Sequence, residues 1–224
     1  MDLKDFENKI SSEEFSKRAL NAFESLRNSP GGISKMRMRR RGEFARKLVE
    51  EILPISVFLR CFERPGLNLY CQYFSGYQSF DGKIYCQGLL VERKFLKDEY
   101  LVEVSIACHE KDYLKRKCLE GGFPCFSASG MKELKNGTVI SEPVVNTPAD
   151  FISEHINFIK SRIEKKGEKN YPNNTFLIIP IFPDTVLMRD DWIEIRNKLE
   201  STEEIAKFCS VFVYDKMSYR MAFL

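Results

Sequence analysis

The pattern of apolar residues predicts helices at the start of the chain. Residues 5–28 are typical of one amphipathic helix, with apolar positions at Phe6, Ile10, Phe15, Leu20, Phe23 and Leu26. Pro30-Gly31-Gly32 predicts its end. A second helix is predicted from about Gly42 to Leu53, where Pro54 would end it. We therefore expect an N-terminal helical extension over residues 1–34 and an α/β domain over residues 35–224.

The pattern then changes to short runs that are rich in β-branched, aromatic and Cys residues. Gly, Asn, Ser and Asp separate these runs, which predicts strands at residues 57–62, 67–74, 83–92 and 100–108. The run from Leu101 to Cys108 is almost continuously apolar. Such a run is typical of a central strand that is covered on both faces of the sheet.

The second half of the chain alternates helices with strands. Helices are predicted at about 110–120, from Thr147-Pro148 onward and at 190–199, and strands at 175–182 and 210–214. Hairpins come first and crossovers later. This order predicts an α/β (α+β) fold in which a mixed β-sheet is flanked by helices.

Composition narrows the class of protein. The chain has 224 residues, 43% of them hydrophobic and 30% charged, which is typical of a globular protein. The N-terminus is acidic and lacks the apolar core of a signal peptide, and no apolar run is long enough for a transmembrane helix. The seven Cys include no C-x-x-C pair, which argues against a zinc ribbon and favours thiols in a reducing compartment. We therefore expect a cytoplasmic protein that does not contact membranes.

The small net charge of +3 conceals a basic segment. Residues 35–47 contain seven Lys and Arg and a single Glu. Clustered positive charge is a candidate surface for phosphate groups, here carried by Lys35, Arg37, Arg39, Arg40 and Arg41. The alternative is a solvated segment that only aids solubility.

Two acidic residues are the strongest candidates for chemistry. Glu103 lies inside the most apolar predicted strand, where a carboxylate is costly unless it is paired, protonated or bound to a cation. A salt bridge to a neighbouring Arg or Lys would also explain it. Asp81 precedes the strand that begins at Lys83, although Asp-Gly is also a common turn. Two carboxylates at adjacent strand ends can hold a divalent cation.

These residues resemble the PD-(D/E)XK, or restriction-endonuclease-like, nuclease superfamily. The core of that family is a helix, a three-stranded meander, a helix and a further strand. The resemblance covers about residues 40–182 and implies that Asp81 and Glu103 bind Mg²⁺ or Mn²⁺, with Glu43 as the carboxylate of the first helix.

The match departs from the family pattern at the lysine. The family has Lys two residues after the Glu, where this chain has Ser105. Lys94 is the preferred substitute, with Lys111 and Lys115 as alternatives. A second register matches the family spacing literally, with Glu92 as the motif acid and Asp81 opposite Lys94.

The resemblance implies a cytoplasmic, Mg²⁺-dependent endonuclease that cleaves DNA. The basic segment would hold the nucleic-acid backbone without reading its sequence. The alternative is a non-catalytic, nuclease-like interaction module in a complex for antiviral defence or DNA processing. Its partner would be another protein or a second copy of the chain, and the N-terminal helix would be a docking element.

Overall fold

The computed structural model describes residues 2–39, 43–76, 78–183, 186–215 and 220–224. The strands in these ranges are β1 (Ile10–Ser11), β2 (Asn68–Tyr73), β3 (Gly82–Gln87), β4 (Glu99–Val104), β5 (Met131–Glu133), β6 (Val139–Ser141), β7 (Thr175–Ile181), β8 (Ser210–Asp215) and β9 (Met221–Phe223). The α-helices are α1 (Ser12–Asn28), α2 (Gly32–Met38), α3 (Phe44–Lys47), α4 (Leu53–Phe62), α5 (Leu89–Glu92), α6 (Asp112–Glu120), α7 (Pro148–Gly167) and α8 (Arg189–Leu199).

A seven-stranded mixed sheet organises the fold, in the order β1-β2-β3-β4-β7-β8-β9. Strands β1 to β4 pair antiparallel, β4, β7 and β8 run parallel, and β9 returns antiparallel to β8. The predicted class, a mixed sheet flanked by helices, is confirmed. Strands β5 and β6 form a separate hairpin beside α6.

Two apolar cores lie on the two faces of the sheet. In β7, Phe176 and Ile178 join the first core with α1 and α4, whereas Leu177 and Ile179 join the second core with α7 and α8. Alternate residues of a strand point to opposite faces, so the apolar run of β7 buries both of them. The result is a three-layer arrangement.

The N-terminal segment shares the first core. Its predicted single helix is divided: Leu3–Phe6 is a 3-10 turn, β1 pairs with β2, and α1 begins only at Ser12. The Ser11 hydroxyl caps α1 by accepting a hydrogen bond from the backbone N–H of Glu14. Phe6 and Phe15 are fully buried in the first core, which also contains side chains of the sheet. The extension expected over residues 1–34 therefore packs as part of the main core.

The predicted strand at residues 57–62 and the predicted end of a helix at Pro54 are wrong. Both positions belong to α4, which follows α3 through one π-helical turn, Leu48–Ile52. Pro54 has no N–H to donate to the preceding turn, and the wider turn ends directly before it. Phe58 and Leu59 have no exposed surface. A short run that is buried on all sides has no periodicity to separate helix from strand.

Two other strands are shorter than their patterns predicted. The run 83–92 leaves the sheet after Gln87, because Gly88 adopts a positive φ of 109° and Leu89–Glu92 forms α5. The run 100–108 leaves the ladder after Val104, apart from one bridge between Ala107 and Ile181. The apolar pattern continued beyond the hydrogen-bonded part of each strand.

No disulfide joins the seven cysteines, all of which lie in the described ranges. Among the helices described, none combines the length and the apolar character that are needed to cross a membrane.

Thr147→Ala is expected to destabilise the protein by about 1 kcal/mol, the usual cost of losing a helix cap. The Thr147 hydroxyl accepts from the backbone N–H of Asp150 at 3.2 Å, and the Asp150 carboxylate accepts from the backbone N–H of Thr147 at 3.0 Å. Urea unfolding followed by circular dichroism measures the loss. Thr138→Ala, in an exposed loop, is the control and should leave the midpoint unchanged. An unchanged midpoint for Thr147→Ala would contradict the cap.

Candidate functional site

Asp81 and Glu103 meet at the junction of β3 and β4. Gly82 pairs with Val102, and the backbone N–H of Asp81 donates to the Val102 carbonyl at 2.8 Å. The Asp81 carboxylate accepts from the backbone N–H of Val104, also at 2.8 Å. Val102 and Val104 face the first core, so Glu103 between them points to the opposite face, toward α7. The structure therefore brings the two predicted carboxylates together.

Glu103 has a cationic partner, Lys166, whose identity the sequence did not indicate. Lys166, in the last turn of α7, donates from Nζ to Oε1 of Glu103. Only 7% of the Glu103 side chain and 21% of the Lys166 side chain are exposed. This ion pair is the salt bridge named above as the alternative explanation of Glu103, so burial of Glu103 alone does not imply a metal.

The environment of Tyr171 also reflects the charge of Glu103. Burial first, and then the negative charge of the nearby Glu103, raise the pKa of the Tyr171 hydroxyl. Tyr171 follows α7 in the loop before β7. Glu103 is therefore surrounded by an amine and a phenol, both from the α7 side of the sheet.

Asp81 lacks such compensation. Within the described ranges, no Lys or Arg lies at ion-pair distance from its carboxylate. Burial raises the pKa of Asp81 to about 8, with further contributions from the charges of Glu103 and Glu51, against the Val104 hydrogen bond and the charge of Lys166. Asp81 is thus a partly buried carboxylate in a negative environment, which a bound cation would relieve.

Glu51 is a third carboxylate at this site. It lies in the π-helical turn before Pro54, and Tyr73 at the end of β2 donates its hydroxyl to Glu51 Oε2 at 2.5 Å. Lys47 approaches the same oxygen at 3.5 Å. The sequence analysis missed Glu51. Two consecutive Glu inside the apolar run from Leu48 to Leu53 were the signal that could have identified it.

The other predicted residues lie elsewhere. Glu43 stands at the start of α3, two helical turns before Glu51, and Lys94 is exposed beyond the far end of β3 with a φ of 60°. Glu92 ends α5 rather than a strand, so the second register is contradicted. Lys111 precedes α6 and Lys115 lies within it. Ser105 is buried directly after β4.

A cleft of about 350 Å³ lies beside these carboxylates and has basic walls. It is lined by Arg39, Arg46, Arg116, Arg162, Lys165 and Lys166 together with Glu50, Glu51, Asp112, Ser105 and Cys108. Of the predicted phosphate-binding residues, Arg39 reaches this cleft, whereas Lys35 and Arg37 are exposed on α2. Arg40 and Arg41 lie outside the described residues.

The side chains around Asp81 and Glu103 supply only some of the oxygen ligands that Mg²⁺ needs. In the portion of the chain that the structure describes, no three His, Cys, Asp or Glu side chains come together as a metal-binding group. Mg²⁺ commonly uses one or two carboxylates and completes its shell with waters and substrate phosphates. The uncompensated Asp81 beside Glu103 fits that pattern, with the other oxygen ligands coming from water or substrate.

Glu51→Gln is expected to lower the pKa of Asp81, because the negative charge of Glu51 contributes to its elevation. A carbon-13 NMR titration of the Asp81 carboxyl measures this shift. Glu99→Gln removes the same charge at the other end of β4 and should leave the titration of Asp81 in place. An unchanged Asp81 titration in Glu51→Gln would contradict the three-carboxylate arrangement.

A scan against protein-family models found no match to this chain, and neither did searches of curated proteins and of solved structures. A fold does not by itself determine a function. Any assignment of activity therefore depends on the chemistry of the residues around Asp81 and Glu103.

Proposed function

We propose that the protein is a Mg²⁺-dependent nuclease that cleaves phosphodiester bonds in DNA. The observation that carries this proposal is Asp81, a partly buried carboxylate beside Glu103 and Glu51 that has no ion pair with any residue described. The order of elements supports it, because a helix precedes the meander β2-β3-β4, and α7 leads into β7 parallel to β4. This order is similar to the one that the resemblance to PD-(D/E)XK nucleases implies, with α6 and the hairpin β5-β6 as additional elements between β4 and α7.

In this proposal each side chain has a separate role. A Mg²⁺ ion, when bound, would polarise a phosphate oxygen and lower the pKa of a water. Asp81 and Glu103 would hold the ion, and Glu51 would keep the site negative. Lys166 would replace Lys94 as the lysine of the site, because its Nζ already contacts Glu103. From there it can orient the attacking water or neutralise the phosphate.

The hydrolysis consumes one water for each bond. The water oxygen joins the phosphorus, the bond from phosphorus to the leaving ester oxygen breaks, and the leaving oxygen takes a proton. The basic cleft would hold the DNA backbone, so binding should weaken steeply as salt concentration rises. We also place the protein in the cytoplasm, a proposal to which the absence of disulfides among its cysteines adds support.

A second candidate is a nuclease-like interaction module without activity. The ion pair between Glu103 and Lys166 favours it, because this pair neutralises a buried carboxylate without any metal. Ser105, in place of the family lysine, also favours it.

Cleavage of supercoiled plasmid DNA with Mg²⁺ or Mn²⁺ distinguishes the two candidates. The wild type should nick or linearise the plasmid, and EDTA should stop it. Asp81→Ala and Glu103→Ala should both be inactive, whereas Asp98→Ala, an exposed loop residue, should cleave like the wild type. Metal-dependent cleavage that survives in Asp81→Ala and Glu103→Ala would show that another site is responsible.

A further inference from the structure

Two arginines in the cleft are held together by a pair of carboxylates. Arg39 Nη1 lies 3.6 Å from Glu50 Oε1 and its Nη2 lies 3.6 Å from Asp112 Oδ2. Arg116 contacts the same two oxygens, with Nε 3.2 Å from Asp112 and Nη1 3.8 Å from Glu50. The structure thus places two guanidinium groups side by side in the wall of the cleft.

The backbone at Arg39 indicates that this placement has a cost. Its φ is 45°, in the left-handed region that few non-glycine residues occupy. Its side chain is only 11% exposed. Arg39 ends α2 in this conformation, with its backbone N–H donating to the Lys35 carbonyl at 3.0 Å, so the end of the helix directs its side chain into the cleft.

The cleft has more positive charge than its own carboxylates balance. Arg46 also donates to Glu50, at 2.8 Å, so three arginines share Glu50 and Asp112. Arg162 and Lys165, on α7, form no ion pair with any residue in the described ranges. The cleft therefore has unbalanced positive charge.

An anion that accepts several hydrogen bonds matches this environment. The fork of a guanidinium group fits phosphate oxygens in a bidentate manner. A terminal phosphate carries about 1.5 to 2 negative charges near neutral pH, more than the single charge of a phosphodiester. The volume of about 350 Å³ is at the small end of the range of about 300–1,000 Å³ for ligand pockets, which favours the end of a strand over a duplex.

We propose that this cleft binds the terminal phosphate of a DNA strand next to the proposed cleavage site. The inference rests on the proposed function and deepens it, because it adds a binding site for a strand end beside the cleavage site; cleavage of closed plasmid does not need this second site. The phosphate would lie between Arg116 and Arg162, with Lys165 at the rim. Binding of the end is a property of the cleft and needs no metal.

Fluorescence anisotropy in EDTA tests the inference without cleavage. The probes are short single-stranded DNAs with a 5′-phosphate, a 3′-phosphate or hydroxyls at both ends. A hydroxyl-ended strand that is two nucleotides longer controls for total charge, because its two additional phosphodiesters carry at least as much charge as the terminal phosphate. One phosphorylated end should bind at least about tenfold more tightly than this control, the effect expected of one good charge-assisted hydrogen bond.

Variants on α7 locate the effect. Arg162→Gln and, separately, Lys165→Gln should remove most of the preference for the phosphorylated end. Lys160→Gln is the matched control on the same helix, since Lys160 is half exposed and pairs with Glu164. Lys165 is exposed, so Lys165→Gln should fold normally. It therefore still tests the proposal if Arg162→Gln fails to fold.

The two proposals fail in different ways. Equal binding of phosphorylated and hydroxyl ends by the wild type, or a preference that survives both variants, would overturn the terminal-phosphate site even if plasmid cleavage is observed. A clear preference without any cleavage would leave the phosphate site in place and contradict the nuclease.

Discussion

Asp81→Asn is expected to abolish metal-dependent cleavage and, at the same time, to stabilise the metal-free protein near pH 8. Loss of a residue that only supports a metal ligand costs about 10–100-fold, so loss of a ligand should cost more than about 100-fold. Stability should rise because Asn removes a partly buried carboxylate that has no ion pair among the described residues, yet its amide oxygen can still accept from the Val104 N–H. Plasmid cleavage and thermal unfolding measure the two effects.

The raised pKa of Asp81 makes the stability of the folded protein depend on pH. The pKa of Asp81 is raised from 3.8 to about 8 in the folded protein, so the folded state holds this proton more tightly than the unfolded chain. The contribution of Asp81 to stability is therefore full at low pH and is lost as pH rises from about 4 to about 8. Asp81→Asn has no carboxyl group at this position, so its stability should not show this decrease. Mg²⁺ should raise the melting temperature of the wild type more at pH 8 than at pH 6, because protons then compete less for Asp81.

A variant that is less stable than the wild type at pH 8 would contradict the account of Asp81. So would full retention of cleavage. Asp98→Asn provides the matched control, because Asp98 is exposed and its replacement should change neither property.

Lys166→Met is expected to destabilise the protein by about 3 kcal/mol, because it leaves Glu103 buried without its partner. Cleavage should also be lost. Chemical denaturation and plasmid cleavage measure the two effects. Lys160→Met, on the exposed side of the same helix, controls for the change of side chain and should have little effect on either.

Two further variants separate the contribution of Lys166 to stability from its contribution to cleavage. Glu103→Gln combined with Lys166→Met removes both charges and should recover most of the lost stability without recovering cleavage. Lys166→Arg should preserve the ion pair and stability. A stability of Lys166→Met equal to that of the wild type would show that the ion pair does not hold Glu103.

The five long strands of the sheet, β2, β3, β4, β7 and β8, and the later helices could be predicted from the sequence. Thr147-Pro148 marked the start of α7, and short apolar runs marked β7 and β8 as central strands. Residues 57–62 could not be assigned, because α4 is buried against both α1 and the sheet. Strand β3 ends before Gly88 because this residue adopts a positive φ. The apolar residues that follow Gly88 made the predicted strand longer than the observed one.

Only the site residues that lie on the meander β2-β3-β4 could be predicted from the sequence. Asp81 and Glu103 face each other because β3 and β4 form a hairpin, and hairpin pairing can be estimated from the chain. Lys166 comes from a helix 63 residues after Glu103, and Glu51 comes from a helix before the sheet. Their placement depends on tertiary packing, which no local pattern contains.

The most direct test of the central claim is calorimetric titration of Mn²⁺ into the wild type and into Asp81→Asn, with plasmid cleavage measured on the same samples. We expect the wild type to bind the metal and cleave, and the variant to lose binding and cleavage together. A wild type that binds no metal at concentrations at which nucleases work would contradict the account, and so would binding that is equal in the variant.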